Sequence, residues 1–249
     1  MGEDGDARRV LQEEFSRAAE AFSERTKNRF DELDAVGFSR VQRGQSVLEV
    51  GAGTGNFLRH FEPLAGRLVA VDLTPGMLEV GRREHSAILP VVADGGRLPF
   101  ASRSFDLVTS AQTLHHVRQP MPFLREMRRV VTGEGRVLIV DQVATERYEE
   151  IAFRDQLEAL RDPSHAVTRA PSSFTIMVQA AGMSVVDERI VTSQSRLSQW
   201  MWPGEYPPER IQIVRDFIER FGHETGMDWQ RDGDDWLYTR RRILLLAGR

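Results

Sequence analysis

The segment that most constrains this chain is a glycine-rich turn directly after a short apolar run. Residues 46–50 read SVLEV, which is typical of a buried β-strand, and Gly51, Gly53 and Gly55 follow at alternate positions. Glycine permits a sharp turn and lets a ligand approach the backbone, because no Cβ is present. In open α/β sheets, ligands bind beyond the carboxyl ends of the strands. The turn therefore predicts an α/β fold with a ligand site after its first strand.

The rest of the chain alternates strand-like and helix-like segments. A helix is predicted to begin at Pro75, and another carries Leu124 and Met127 on one face and ends near Gly133. This alternation indicates βαβ crossovers and a mostly parallel sheet with helices on both faces. Apolar residues at helical spacing also predict an amphipathic helix over 10–22. After 46–50, strands are predicted at 67–71, 88–92, 105–109, 136–140, 185–190 and 236–246.

Two better-known glycine motifs do not fit this loop. A dinucleotide fingerprint needs a third glycine where this chain has Asn56, and a phosphate-binding loop needs a lysine after its last glycine. Gly55 is instead followed by Asn56 and Phe57. The loop therefore favours an adenosine-type ligand without a pyrophosphate, although a plain strand-to-helix turn would also accommodate these residues.

Acidic residues follow the next two predicted strands. Asp72 ends the strand at 67–71, where a carboxylate can accept hydrogen bonds from both hydroxyls of a ribose. Asp94 follows the strand at 88–92 and precedes Gly95, so a carboxylate and bare backbone are available to an adenine edge. Each aspartate alone could instead cap a helix. Three strand ends with suitable chemistry at one sheet edge favour a ligand site.

Composition narrows the class of protein further. The 249 residues contain no cysteine, which excludes disulfides and thiolate metal sites. The formal charge is −4 at pH 7 and the pI is about 5.9, so a basic face for nucleic acid is not expected. We see no secretion signal, and no run reaches the roughly 18 apolar residues that span a bilayer. We expect a cytoplasmic monomer or homodimer without a nucleic-acid or membrane partner.

With these motifs in place, the sequence resembles the class I S-adenosylmethionine-dependent methyltransferases, and especially the branch of ubiquinone and menaquinone biosynthesis. The matching motifs occur in the family's order and cover 45–141 densely, with a looser match beyond. The segment 130–135 departs from the family's usual turn, and Gly95 and Gly96 replace a larger pair. The motifs read VLEVGAGTGNF (47–57), VAVDLTPGML (69–78), VVADGGRLPF (91–100), FDLVTSAQTLHHV (105–117) and REMRRVVTGEGRVLIVD (125–141).

The resemblance implies that the cofactor is S-adenosylmethionine and that S-adenosylhomocysteine is the product. It implies that the loop at 49–55 faces the methionine part of the cofactor, that Asp72 holds the ribose, and that Asp94 meets the adenine. Ala111 and Gln112 would lie under the sulfonium. The implied cofactor residues are Glu49, Gly51, Ala52, Gly53, Asp72, Leu73, Met77, Asp94, Gly95, Ala111 and Gln112.

The resemblance also implies an architecture. The expected fold is a Rossmann-like α/β sheet of seven strands in the order 3-2-1-4-5-7-6, with the last strand antiparallel and helices on both faces. We expect residues 1–249 to form a single domain. Its core is expected at about 40–141 and 172–249, with an N-terminal helical lid at 7–36 and insertions at 142–171 and 192–235 that cover the acceptor site.

Histidines are the candidate catalytic residues. Methyl transfer from a sulfonium is an in-line displacement in which the protein supplies alignment and, where needed, a base. His115 and His116 follow the fourth strand at the expected acceptor rim, and His165 lies in the insertion at 142–171. Each could accept a proton from an oxygen or nitrogen nucleophile, or could serve only in packing. No pair of histidines has the spacing of a metal-binding helix, so we predict no metal.

Four further residues are candidates for contact with the acceptor. Asp141 ends the fifth strand and could orient an acceptor or cap the strand. Trp200, Trp202 and Tyr206 could wall an apolar pocket or form a small separate core.

The leading hypothesis is methyl transfer to an oxygen, nitrogen or carbon nucleophile of a small molecule, in secondary or quinone-type metabolism. The first alternative is a non-methylating reaction on a small molecule by the same fold. An RNA or protein methyltransferase is less favoured, and a non-enzymatic scaffold is favoured least.

Overall fold

The computed structural model describes residues 15, 16, 18–201 and 206–249, and one mixed β-sheet organises this part of the chain. Its described strands are β1 (Ser46–Val50), β2 (Arg67–Asp72), β3 (Ile88–Val92), β4 (Phe105–Ala111), β5 (Val131–Gln142), β6 (Ser184–Arg196), β7 (Gln230–Asp232) and β8 (Asp235–Gly248).

The sheet has the predicted order. The strands lie as β3-β2-β1-β4-β5-β8-β6. The first five are parallel to one another, and β8 is antiparallel to both β5 and β6. The strand β7 was not among the seven predicted strands, so β8 corresponds to the seventh strand of the predicted order. The prediction that this last strand is antiparallel is confirmed.

The short strand β7 was not predicted. It pairs only with β8, through a tight turn at Gly233, which has a φ of +61°. Its three residues are exposed and polar, so they carry none of the apolar alternation by which a strand can be recognised.

Helices cover the sheet and one end of it. Helix α1 spans 18–26, and the short helix α2 (Ala35–Ser39) follows. The longer helices are α3 (Pro75–Glu84), α4 (Pro120–Val130), α5 (Tyr148–Arg161), α6 (Pro171–Ala180) and α8 (Pro208–Phe221), with a single turn α7 (Leu197–Trp200) between β6 and α8.

Several boundaries differ from the predicted ones, and β6 extends to Arg196 rather than to 190. Helix α4 ends at Val130 rather than near Gly133, because β5 begins at Val131 and pairs there with Phe105. The glycine loop leads into one short 3-10 helix, Leu58–Phe61. The predicted helix at 10–22 is helical at 15, 16 and 18–22, and its first part lies outside the described residues.

Alternate residues of the strands build separate cores on the two faces of the sheet. Leu48 and Val50 of β1 belong to the cluster that packs against α4 and α6, whereas Val47 belongs to the cluster on the opposite face. All three are fully buried. Burial on both faces explains the near-continuous apolar runs, which are typical of parallel sheets.

A third apolar cluster lies apart from the two main cores. It joins α5, α7 and α8 to the first half of β8, and its buried members include Trp200, Val214, Ile218 and Tyr238. Among the described residues, no helix has both the length and the apolar character needed to cross a membrane.

Candidate cofactor and acceptor site

A cavity of about 720 Å³ opens at the carboxyl ends of β1, β2, β3 and β4. This volume falls within the range of about 300–1,000 Å³ that is usual for small-molecule sites. All eleven residues predicted to bind the cofactor line it, from Glu49 at the end of β1 to Gln112 after β4. The first helix covers one side, and Pro163–Ala166 cover another. The fold thus gathers segments that are far apart in the sequence around one cleft.

The glycine loop presents bare backbone to this cavity. Gly51, Gly53 and Gly55 all have positive φ, at +76°, +55° and +80°. The backbone N–H groups of Gly51 and Ala52 donate to the carbonyl of Val71, at 2.8 and 2.9 Å, which ties the loop to β2. A Cβ on Gly51 would collide with the side chain of Thr113. Both the backbone conformation and the available space therefore require glycine at position 51.

Asp72 connects this loop to the start of α3. One carboxylate oxygen accepts the N–H of Gly53 at 2.8 Å, and the other accepts the N–H of Thr74 at 2.8 Å. Burial raises the pKa of Asp72, while these hydrogen bonds act in the opposite direction. Asp72 also lines the cavity, so its carboxylate is placed to accept hydrogen bonds from a ligand there.

Five residues that line the cavity have a buried polar side-chain atom without a partner among the described residues, and Oε2 of Glu49 and Nε2 of Gln112 are two of these atoms. Burial, and then the nearby charge of Asp72, raise the pKa of Glu49 well above its usual range. A buried polar group without a partner is costly, so this acceptor and this donor are positioned for a polar ligand.

Asp94 forms the turn after β3. Its carboxylate accepts the N–H of Gly96 at 2.9 Å. Gly95 packs so closely on Phe123 and Val50 that a Cβ would not fit. Asp94, Gly95 and Phe123 line the cavity together, which gives a polar edge and an aromatic ring at the same place.

His116 is one of the two candidate histidines that line the cavity. Its Nδ1 lies 3.0 Å from the carbonyl oxygen of Ser164, so Nδ1–H donates to that carbonyl and Nε2 is the acceptor nitrogen. No described residue forms a hydrogen bond with Nε2. The ring of Phe15 meets the imidazole edge-on, at 5.5 Å between centroids. The ring is thus oriented by the segment after α5 and covered by the N-terminal segment.

His165 lines the same cavity but is strongly buried. Its Nε2 lies 2.9 Å from a carboxylate oxygen of Asp155, and its side chain is only 1% exposed. The Nδ1 atom of His165 has no partner among the described residues.

His115 and Asp141 form a buried pair behind His116. Nδ1 of His115 lies 2.7 Å from a carboxylate oxygen of Asp141, and the two histidine rings are 4.0 Å apart. Burial, together with the charges of His116 and His165, lowers the pKa of His115 well below its usual range. Burial raises the pKa of Asp141 to about 6. Near neutral pH, a neutral imidazole therefore donates to a carboxylate. Neither residue lines the cavity, so the pair is placed to support His116 rather than to contact an acceptor.

The structure does not bring the predicted aromatic residues to the cavity. Trp200 is buried in the third apolar cluster, where the guanidinium of Arg161 stacks 4.8 Å from its ring, and Tyr206 packs against the same cluster. Trp202 lies outside the described residues. The reason is that α7 packs on β8 instead of folding over the strand ends. No described residue of 192–235 lines the cavity, whereas 142–171 contributes its Pro163–Ala166 segment.

Some lining residues had not been predicted from the sequence. Thr26, Arg29 and Phe30 line the cavity from the segment after α1, and Thr113 and Phe123 line it from the region after β4. The stretch at 23–36 is largely polar and has no clear periodicity, so its sequence gave little indication of this role. Phe15 and Phe22, expected in a lid, do line the cavity.

The sheet order and the residues at the strand ends define the class of protein as a methyltransferase of the Rossmann-like type. A family model described as a methyltransferase domain matches residues 48–139. A demethylmenaquinone methyltransferase of Renibacterium salmoninarum is 30% identical over 171 residues, which cover 68% of each chain. An uncharacterised methyltransferase of Bacillus subtilis is 29% identical over 205 residues, covering 79% of this chain and 80% of its own.

Solved structures agree on the fold. The crystal structure of that Bacillus subtilis protein superposes with a TM-score of 0.75 at 24% identity, covering 87% of this chain and 98% of its own. A phosphoethanolamine N-methyltransferase of Haemonchus contortus, solved with S-adenosylmethionine, has a TM-score of 0.63 at 14% identity, covering 94% and 57%.

The chain belongs to the class I S-adenosylmethionine-dependent methyltransferases, in the branch of the ubiquinone and menaquinone biosynthesis methyltransferases. It is an S-adenosylmethionine-dependent enzyme.

Proposed function

We propose that this enzyme methylates an oxygen, nitrogen or carbon nucleophile of a small molecule of the quinol or phenol type. The observation that carries the proposal is the cavity itself, a cleft of about 720 Å³ that Phe15, Phe22 and Pro163–Ala166 cover in part. A covered cavity of this size suits a small molecule beside the cofactor better than a polymer chain. Phe15, Phe22 and Phe123 offer aromatic surface to such an acceptor. The names of the demethylmenaquinone methyltransferases among its relatives support the same acceptor class.

The residues at the strand ends fit S-adenosylmethionine. The two oxygens of Asp72 keep acceptor positions for the ribose hydroxyls, and Asp94 and the bare backbone of Gly95 fit an adenine edge. The unpaired Oε2 of Glu49 suits an ammonium group, which would also offset the cost of burying its charge. When bound, the cofactor supplies an electrophilic methyl group on a sulfonium. The protein holds and orients the cofactor and excludes water.

His116 is proposed as the proton acceptor on the acceptor side. Its Nδ1–H donates to Ser164, so its Nε2 lone pair can take a proton from a hydroxyl or amine of the acceptor. The buried pair of His115 and Asp141 lies against its ring and limits where it can move. We further propose that 1–249 acts as one domain, with 142–171 and the N-terminal segment as its cover.

The test is a methyl-transfer assay on a panel of naphthoquinols, catechols, phenols and amines, with release of S-adenosylhomocysteine as the readout. We expect at least one class to be methylated. His116→Gln should lower kcat about 100-fold or more, because the acceptor then loses its proton acceptor.

The matched control is His223→Gln, because the side chain of His223 is 74% exposed and lies outside the cavity. It should keep the wild-type kcat. An unchanged kcat in His116→Gln would rule out the proposed base. Turnover of a substrate without release of S-adenosylhomocysteine would instead favour a non-methylating reaction.

A further inference from the structure

Arg29 is a cavity-lining arginine whose guanidinium has no partner in the part of the chain that the structure describes. It follows α1 and lines the cavity beside Thr26 and Phe30. Its backbone is held at both ends, since its N–H donates to Thr26 at 3.0 Å and its carbonyl accepts from Arg242 at 2.9 Å. Among the described residues, however, no hydrogen bond or ion pair reaches its guanidinium. A half-buried arginine with a fixed backbone and an unpaired head group is unusual, because buried charges are normally paired.

The nearby acidic residues are occupied by other arginines. Arg161 pairs with Glu158 at 3.1 Å and with Asp162 at 3.4 Å, and Arg242 pairs with Glu32. The neighbouring Arg240 donates to the hydroxyl of Ser195 at 2.9 Å. Positive charge around Arg29 is therefore in excess.

The pKa of Arg29 also indicates a cation that its neighbours do not neutralise. Burial, followed by the charge of Arg240, lowers the pKa of Arg29 to about 10, so the group stays charged at neutral pH. Tyr238 is close enough to affect this pKa, and its buried hydroxyl has no hydrogen-bond partner among the described residues. Arg29 is thus an uncompensated cation at the cavity, whereas Tyr238 belongs to the third apolar cluster and does not line the cavity.

We infer that Arg29 is a carboxylate-binding residue inside the cavity. A guanidinium matches a carboxylate in charge and in its planar fork of donors. The inference deepens the proposed function and rests on it. The carboxylate has two possible sources, the methionine part of the cofactor or an acceptor that carries an acid group, and they can be told apart by experiment.

The experiment is calorimetric titration of the full chain and of Arg29→Met, which removes the charge but keeps most of the side-chain length. Three probes are used: methylthioadenosine, which has no amino-acid part, S-adenosylhomocysteine, and benzoate added to protein saturated with S-adenosylhomocysteine. Arg29→Lys tests whether charge alone restores binding. Arg82→Met is the matched control, since Arg82 is exposed on α3 outside the cavity.

Either of two results supports the inference. If the cofactor supplies the carboxylate, Arg29→Met should weaken S-adenosylhomocysteine about 10- to 100-fold and leave methylthioadenosine unchanged. If the acceptor supplies it, the variant should weaken benzoate by a similar factor and leave S-adenosylhomocysteine unchanged. In both cases Arg82→Met should match the wild type, and Arg29→Lys should bind better than Arg29→Met.

Other results overturn the inference. Arg29 would be removed from the site if Arg29→Met bound S-adenosylhomocysteine with wild-type affinity and benzoate gave no difference between the two proteins. Benzoate gives no difference if the wild type does not bind it or if both proteins bind it equally. Equal weakening of all three probes, or a marked fall in Tm of the ligand-free variant, would give Arg29 a structural role. Failure of the wild type to bind methylthioadenosine and S-adenosylhomocysteine would contradict the proposed function itself.

Discussion

At the scale of single residues, Gly51 combines two requirements that can be separated by experiment. Its positive φ is unfavourable for other residues, and its missing Cβ leaves room for Thr113, whose hydroxyl donates to the Gly51 carbonyl at 3.0 Å. Gly44 also has a positive φ, +87°, but a Cβ there would meet nothing within 4 Å. The two glycines therefore differ in crowding and not in the sign of φ.

We predict that Gly51→Ala destabilises the protein much more than Gly44→Ala. The left-handed backbone costs about 1 kcal/mol at either site. The collision with Thr113 adds about 2 kcal/mol at position 51 only. Urea unfolding of both variants measures the difference in the free energy of unfolding. Equal losses would show that crowding at Thr113 is unimportant.

The site residues that could be predicted from the sequence are those at strand ends. Asp72, Asp94 and the loop glycines follow short apolar strands, so their positions in a parallel sheet were determined by the strand pattern. Arg29 could not be found in this way, because it follows a helix in a polar stretch. Trp200 was expected near the acceptor and lies in a separate cluster, since aromatic residues near prolines do not indicate which core they join.

At the scale of elements, α1 is attached to the glycine loop by one buried side chain. Asn56 donates from its amide to the carbonyl of Ser23 and to the hydroxyl of Thr26, both at 2.8 Å. Asn56 is only 4% exposed. Since α1 covers the cavity, this side chain couples the cover to the loop beneath it.

We predict that Asn56→Ala loosens α1 without unfolding the sheet. The variant leaves the carbonyl of Ser23 without its amide donor, at a cost of about 1–3 kcal/mol. Amide hydrogen exchange at 18–26 should become faster, while exchange in β1 and β4 stays slow, and S-adenosylhomocysteine should dissociate several-fold faster. Gln45→Ala, in an exposed turn outside the cavity, is the control. Unchanged exchange at 18–26 would show that other contacts hold α1.

Elements were predictable where they are long or apolar. The strands β2, β3 and β4 agree with prediction to within two residues, because a polar residue or glycine lies within two positions of each strand end. The region 192–235 was expected over the acceptor, yet β6 extends to Arg196 and α8 packs against α5 and β8. Its apolar residues indicated a helix, but a helical pattern does not specify the surface against which the helix packs.

At the scale of the whole molecule, a single sheet edge is proposed to serve both the cofactor and the acceptor. The carboxylates on β2 and after β3 lie toward one side of the cavity, and His116 and Arg29 line it from other segments. The predicted order of strands determines this arrangement, because β1 and β4 lie next to each other at the centre of the sheet. The acceptor could not be predicted equally well, since it depends on covering segments whose packing leaves little pattern in the sequence.

The most direct test is calorimetric titration of S-adenosylhomocysteine into the wild type, Asp72→Ala and Asp187→Ala. Asp187 is an exposed carboxylate that pairs with Arg40 at 3.0 Å. It lies on the edge strand β6, and it does not line the cavity. Loss of two charge-assisted hydrogen bonds, at about 1.5 kcal/mol each, should weaken binding about 100-fold in Asp72→Ala. We predict this loss in Asp72→Ala and wild-type affinity in Asp187→Ala. Absence of binding by folded wild-type protein, or equal affinity in all three, would contradict it.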